Sequence, residues 1–328
     1  MSRPCSNDSL YSDYYYDNLS PDDFEEQPRI NKTKGTHKMA IPKRPSAVGF
    51  PASAPTEKLE AAAKPTVDSW DDAKPRGHFI GLYGVGGAGK TTLAAMLPGK
   101  TLFIDLEGSL KIIRGKLDEL GLTQNITPKF MRYDPKAPAA AWNDLIAFLE
   151  SDAAKGYDNV VIDSFTRAQE YAASNCMASI PGDSATIRQS LEQWTYGKGA
   201  QIVYDKFVPI YPLIDELLDG GSNVCAICHD NVLRMANPDG GDFIQHQPHL
   251  VQGDKGKAPG RDKYQQTVDH LLFLAADITV EKGKAKGGMT RTLYTGGIAS
   301  MMAKSRTAQG MAIEVPVDGI FDWTQIIH

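Results

Sequence analysis

The chain has 328 residues, 41% of them hydrophobic and 23% charged, with a net charge of −5. That length buries one good core and excludes two large ones, and the acidic balance excludes a globally basic polyanion binder, leaving nucleic acid only a local patch. Four cysteines, Cys5, Cys176, Cys225 and Cys228, are too few for a disulfide scaffold, and no apolar run reaches the roughly eighteen residues of a membrane span, so a soluble cytoplasmic protein without a membrane partner is expected.

Residues 1 to 75 lack helical or strand periodicity, are rich in Pro, Ser, Asp and Lys, and are predicted to be a disordered tail. Charge is segregated within it. Met1 to Glu26 sets Arg3 against seven acids and interleaves Tyr11, Tyr14, Tyr15, Tyr16 and Phe24, whereas Gln27 to Ala47 carries six cations and no acid. Such an arm can hold a partner electrostatically.

From residue 76 the pattern changes to alternating strands and helices, which predicts one α/β domain over 76–328 with a mostly parallel sheet flanked by helices. Phe79 to Tyr83 is a short buried strand that leads through a glycine-rich turn into an alanine- and leucine-rich helix. Gly84, Gly89, Lys90 and Thr91 satisfy the pattern G-x-x-x-x-G-K-[ST]. The backbone from Gly84 through Val85, Gly86, Gly87, Ala88 and Gly89 to Lys90, Thr91 and Thr92 can curl its N–H groups around phosphate oxygens, as glycine permits. Lys90 suits the β- and γ-phosphates, Thr91 suits Mg²⁺, and the helix N-terminus adds positive potential. ATP and Mg²⁺ are the expected cofactors.

Thr101 to Ser109 is a strand ending in acids, LKIIRGKLDELGL a helix stopping near Gly121, KFMRY a further strand and AAAWNDLIAFLESDAA a clear helix. Asn159 to Phe165 is the next strand, with a helix from about Arg167, and helical pattern fills Leu191 to Leu218 with breaks near residues 196–199 and 209–212. Asn223 to Asp230 is a third apolar strand. VLRMA and FIQHQ then flank NPDGG as a hairpin, and VDHLLFLAADITVEK pairs with TRTLYTG as C-terminal β strands.

Ligands of such sheets sit outside the carboxyl ends of the strands, so the polar residues that close apolar strands are the candidates. Asp163 is expected to hold the metal with Thr91. Asp105 and Glu107 share a face if their strand persists; Glu107 is chosen to activate water, with Asp105 or a structural cap as the alternatives. His229 ends the third strand, where it can touch the γ-phosphate. Cys225 and Cys228 point to opposite faces of that strand and are expected to be buried small side chains rather than a zinc site. Lys304 and Arg306, two apart in extended chain, form a cation pair that a neighbouring subunit can offer to the transferred phosphoryl.

GVGGAGKTTLA, FIDLEGS, YDNVVIDSF, the strand ending in CHD and the late AKSR together resemble the RecA-like core ATPases common in phage genomes, and within them the Sak-type single-strand annealing proteins. The resemblance spans about Gly77 to His328 and implies a RecA-like P-loop NTPase core that hydrolyses ATP. It implies single-stranded DNA, further copies of the chain and a single-strand DNA-binding protein as partners, in recombination or annealing inside a bacterial host. Lys90, Thr91, Glu107 and Asp163 then take the roles given above. His229 stands where RecA proteins carry a sensing amide, and Lys304 and Arg306 act in trans. It also implies a DNA-contacting loop at Asn231 to Lys263, with Arg234, Lys255, Lys257, Arg261 and Lys263 against the backbone. A nucleotide-gated loader of replication proteins and a small-molecule phosphotransferase are the alternatives.

Overall fold

Phe79–Gly84 (β1) is buried at every position, a pattern that requires cover on both faces. It pairs in parallel with a strand on each side, so it lies inside a sheet. The computed structural model describes residues 75–180, 190–191, 194, 198–237, 240–252, 259–281, 284–308 and 310–327, with backbone alone for residues 277–281 and 284–289. The expected tail lies outside them.

The other strands are Thr101–Asp105 (β2), Ile126–Phe130 (β3), Asn159–Asp163 (β4), Asn223–Met235 (β5), Phe243–Pro248 (β6), His270–Glu281 (β7), Lys284–Tyr294 (β8) and Ala312–Val315 (β9). Their order is β3-β2-β4-β5-β1-β7-β8-β9, with β6 on the far half of β5. β3 through β7 in that order run parallel; β8 and β9 close the edge in antiparallel fashion. The expected α/β class with C-terminal β strands is observed.

Helices cover both faces. Ala140–Glu150 (α4) buries Ala141, Trp142, Leu145 and Leu149, one stripe of a 3.6-residue period. It packs in one cluster with Phe165 and Tyr171 of Phe165–Ser179 (α5) and with Ile214 and Leu218 of Ile210–Asp219 (α7). The opposite face takes Leu93 and Ala94 of Lys90–Ala95 (α1) together with Phe321, Trp323 and Ile326 from the end of the chain. Trp323 fixes that end, because its indole N–H donates to the Leu93 carbonyl at 3.2 Å. Cys225 belongs to one cluster and Cys228 to the other, so the two thiols do point to opposite faces. Both are fully buried.

Several expectations are corrected. β2 stops at Asp105, so Glu107 lies beyond the strand and the two acids do not share a face. The helix expected after it is divided at Ile113 into Ser109–Ile112 (α2) and Arg114–Glu119 (α3). β3 starts earlier than the expected KFMRY and places Pro128 within an edge strand, where a missing N–H is tolerated. α5 begins two residues ahead of Arg167, because the Ser164 hydroxyl caps it by accepting the Arg167 N–H at 3.1 Å. The pattern before β5 resolves into Lys198–Phe207 (α6) and α7, which admits Pro212 in its first turn, where no intrahelical N–H is needed.

In Asn231 to Lys263 the expected hairpin of VLRMA with FIQHQ is observed as the end of β5 paired antiparallel with β6, and Pro259–Thr267 (α8) starts within the segment, so these parts are not the loop that the resemblance implies. Arg234 pairs with Asp242 at 2.9 Å, Arg261 with Asp262, and Lys263 lies over the Tyr211 ring. Lys255 and Lys257 lie outside the described residues.

Candidate nucleotide-binding site

The carboxyl ends of β1, β2, β4 and β5 open onto a cavity of about 810 Å³ lined by Gly84 to Gly87, Gly89 to Thr92, Glu107, Asp163 and His229, and also by Lys116, Asp230 and Arg291. The phosphate loop, the acids and the histidine therefore converge. Gly89 is the residue on which the loop turns into α1. Its φ of 97° is left-handed, and an added Cβ would sit 2.4 Å from the Arg291 guanidinium. Gly84 admits a strand instead, since a Cβ there would stand 2.1 Å from the Leu274 carbonyl oxygen of β7. No side chain caps the start of α1, so its first N–H groups are free to face an anion.

Lys90 closes the loop on itself. Its ammonium donates to the carbonyls of Gly84 at 2.7 Å and Val85 at 3.0 Å. Burial lowers its pKa, with Asp163 and Glu107 opposing that shift. An incoming phosphate would replace two neutral acceptors with a charged one, a stronger hydrogen bond for the same donor.

Thr91 donates to Asp163 Oδ2 at 2.8 Å, and Ser109 donates to the same oxygen at 2.9 Å. Asp163 is 3% exposed. Its burial raises its pKa to about 6 against the two hydroxyls, and the nearby Glu107 charge pushes the same way. A carboxylate held under such tension in a hydroxyl-lined seat is suited to a hard cation that takes oxygen ligands, and Thr91 and Asp163 are the residues that would hold Mg²⁺. When bound, that ion supplies charge neutralisation at the phosphate oxygens.

The two acids after β2 differ in their partners. Asp105 is fully buried and accepts the backbone N–H groups of Glu107 at 3.1 Å, Gly108 at 2.5 Å and Leu110 at 3.2 Å. It is a clamp on the turn. Glu107, held out by that clamp, lines the cavity, accepts the Ser164 hydroxyl and places Oε1 2.7 Å from His229 Nε2. Burial would raise the Glu107 pKa, but the hydrogen bond and charge of His229, with Ser164, outweigh it and leave the group below the ordinary glutamate value. His229 is raised in turn, chiefly by its bond to Glu107 and against burial. His229 thus touches the acid expected to activate water.

Lys304 and Arg306 do not enter the cavity of their own chain. Lys304 bridges to Leu271 near the start of β7 and directs its ammonium at the Gln266 carbonyl, 3.5 Å away, while Arg306 pairs with Asp269 at 3.2 Å. Arg306 is still 65% exposed.

Sequence reasoning missed Lys116, Arg291, Ser109, Ser164 and Asp230. The two serines sit inside the EGS and DSF strings, where a small hydroxyl after a strand-ending acid is a usable signal. Arg291 has none, for it reaches the cavity only because β8 lies beside β7, and its guanidinium contacts the Ala88 and Pro316 carbonyls at 3.5 and 3.2 Å.

Among the described residues no helix is long and apolar enough to cross a membrane. No curated protein matches this chain. A family model described as an AAA domain matches residues 76–307, which takes in every strand from β1 to β8 and the whole cavity lining. With more than half of its length matched, and a phosphate loop that shares its cavity with Asp163 at the end of β4 and Glu107 two residues past β2, the chain belongs to this AAA-domain family of P-loop NTPases.

Proposed function

We propose that the protein is an ATP-hydrolysing RecA-like enzyme that uses Mg²⁺, assembles with copies of itself and acts on single-stranded DNA in recombination or annealing of the Sak type. The observation that carries the hydrolytic part is Glu107. It stands at the cavity wall, deprotonated at neutral pH, oriented by Ser164 and His229 and kept separate from the Thr91–Asp163 seat. One acid for the cation and a second, lower-pKa acid for a water is a division of labour suited to phosphoanhydride hydrolysis.

In this mechanism the loop amides and Lys90 bind the phosphates, Thr91 and Asp163 would hold the cation, and Glu107 takes a proton from the water whose oxygen bonds to the terminal phosphorus as the bridging bond to the ADP oxygen breaks, leaving ADP and phosphate. The contact between His229 and Glu107 weakens as that proton arrives, since a neutral carboxyl is a poorer hydrogen-bond partner than a carboxylate. Lys304 and Arg306, being outside their own cavity and partly exposed, are available to a neighbouring copy. The β5–β6 ribbon, which leaves the sheet directly after His229 and exposes Val232, Arg234 and Ile244, is the element that would meet DNA.

The test is ATP hydrolysis with and without single-stranded DNA. Stimulation by DNA supports the reading, and turnover that depends on a small-molecule acceptor or a protein partner instead overturns it. Arg306→Ala is expected to keep ATP binding and lose turnover, and mixing it with Glu107→Gln restores part of the activity at mixed interfaces. Mixed oligomers without any restoration would refute the in-trans role.

A further inference from the structure

Among the described residues, one side chain that lines the cavity has a buried polar atom without a partner. Asp230 follows His229 on β5, lines the cavity, and has a side chain only 6% exposed. Its Oδ2 lies 2.6 Å from His246 Nδ1 on β6, whereas Oδ1 is buried with no hydrogen-bond partner. Leaving a buried acceptor of this kind unmet is destabilising, and a charged one more so. At the wall of a polar cavity such an atom is a place kept for a donor that comes with the ligand. A phosphate offers no donor and would repel the carboxylate, so the group that fits is a water ordered on the phosphate chain.

The other oxygen leads away from the cavity. His246 is fixed by its backbone to the stretch that carries the late cation pair: its N–H donates to the Ser300 carbonyl at 2.9 Å, and its carbonyl accepts the Met302 N–H at 3.1 Å. The Tyr83 hydroxyl lies 3.1 Å from the His246 carbonyl oxygen and 2.6 Å from that of Met302, tying both to β1. The His246 ring rests on Phe273, ring centres 5.0 Å apart. Two residues beyond Met302, Lys304 is held to Leu271 through both backbone groups at 2.8 and 2.9 Å. Asp230 is thus joined through the ring and backbone of His246 to Ser300 and Met302, the latter two residues of chain before Lys304.

We infer that Asp230 is a positioning residue that senses the nucleotide: Oδ1 takes a water held on the terminal phosphate, and the carboxylate transmits this through His246 to residues 300–306. The chain thereby links the occupancy of its own cavity to the cation pair it presents outward. His229, on the other face of β5, serves Glu107; Asp230 serves the ribbon and the late segment.

This rests on the nucleotide occupying the cavity, so binding is recorded first by calorimetry and amide hydrogen exchange is then measured on the same samples, with a non-hydrolysable ATP analogue plus Mg²⁺, with ADP plus Mg²⁺, and with neither. In the wild type the analogue is expected to slow exchange across residues 244–247 and 301–306 by about fivefold or more, the lower range of measured coupling between sites, and ADP by less than about twofold. Asp230→Asn is expected to lose that slowing; His246→Asn, which lies outside the cavity lining, is expected to lose it while binding the analogue within about threefold of wild type. The second variant keeps the carboxylate and breaks only its far end, so it decides the matter if the first does not fold. A purely structural pair would alter exchange equally with and without nucleotide. Bound analogue with unchanged exchange in the wild type, or slowing retained in a folded variant, overturns the inference; absence of binding in the wild type overturns the nucleotide reading instead.

Discussion

Asp163→Asn separates what the buried acid does for the fold from what it does for the chemistry. Burial lifts the Asp163 pKa from the ordinary 3.8 to about 6. A carboxyl that holds its proton more tightly in the folded chain than in the unfolded one favours folding when protonated, and opposes it progressively as the pH climbs from about 3.8 through 6. Above that window the opposition is complete. A rise of about two pH units corresponds to about 3 kcal/mol, an upper bound because Asn must also find a use for its amide N–H groups. Asparagine keeps one oxygen for the Thr91 and Ser109 hydroxyls and carries no charge to bury. Urea unfolding of the nucleotide-free protein should therefore show Asp163→Asn more stable than wild type by about 1–3 kcal/mol at pH 8, with the difference nearly gone at pH 4. Mg²⁺-dependent turnover should be lost in the same variant. Equal or lower stability at pH 8 would refute the reasoning, for it would mean that Asp163 is not a charge held against its surroundings.

Two further substitutions probe neighbouring parts of the site. Asp105→Asn replaces one of the oxygens that clamp the turn before Glu107; with a hydrogen bond to a charged acceptor contributing about 1.5–3 kcal/mol, thermal unfolding should reveal a loss of about 2–4 kcal/mol, and turnover should fall far more than nucleotide affinity. Arg291→Ala removes a cation from the cavity wall without disturbing a buried apolar cluster, so titration should show ATP binding weakened about tenfold with folding stability within about 0.5 kcal/mol of wild type.

Much of the site was legible because its chemistry is written in consecutive residues. The phosphate loop, Thr91 and Asp163 each stand where a strand hands over to a helix, and the local pattern locates that junction to within two residues. Glu107 was the choice between the two acids, but the sequence pattern alone offered no geometry to separate it from Asp105. Asp105 and Glu107 are the same chemistry two positions apart, and only the termination of β2 at Asp105, with three N–H groups drawn onto its carboxylate, shows which one turns inward and which faces the cavity.

What stayed hidden depends on contacts across long stretches of chain. Arg291 is more than two hundred residues from the loop it touches. Asp230 looked like a polar residue at the end of a strand, and only its pairing with His246 on β6, and the oxygen that pairing leaves over, give it a role. The segment from Asn231 to Lys263 carried two readings, a hairpin from the alternation of VLRMA and FIQHQ and a DNA-contacting loop from the resemblance; the hairpin forms because β5 continues past the sheet and supplies β6 an edge. Trp323 seals the underside of α1 from the far end of the chain, a packing role that no local period announces.

The central claim is that a nucleoside triphosphate is held between the loop at the end of β1 and the acids of β2 and β4. Calorimetric titration of ATP with Mg²⁺ into the wild type and into Lys90→Ala tests it most directly. The wild type should bind one ATP per chain, and loss of the ammonium that faces the phosphates should weaken binding by about a hundredfold or more, about 3 kcal/mol. Equal affinity in the two proteins would contradict the claim.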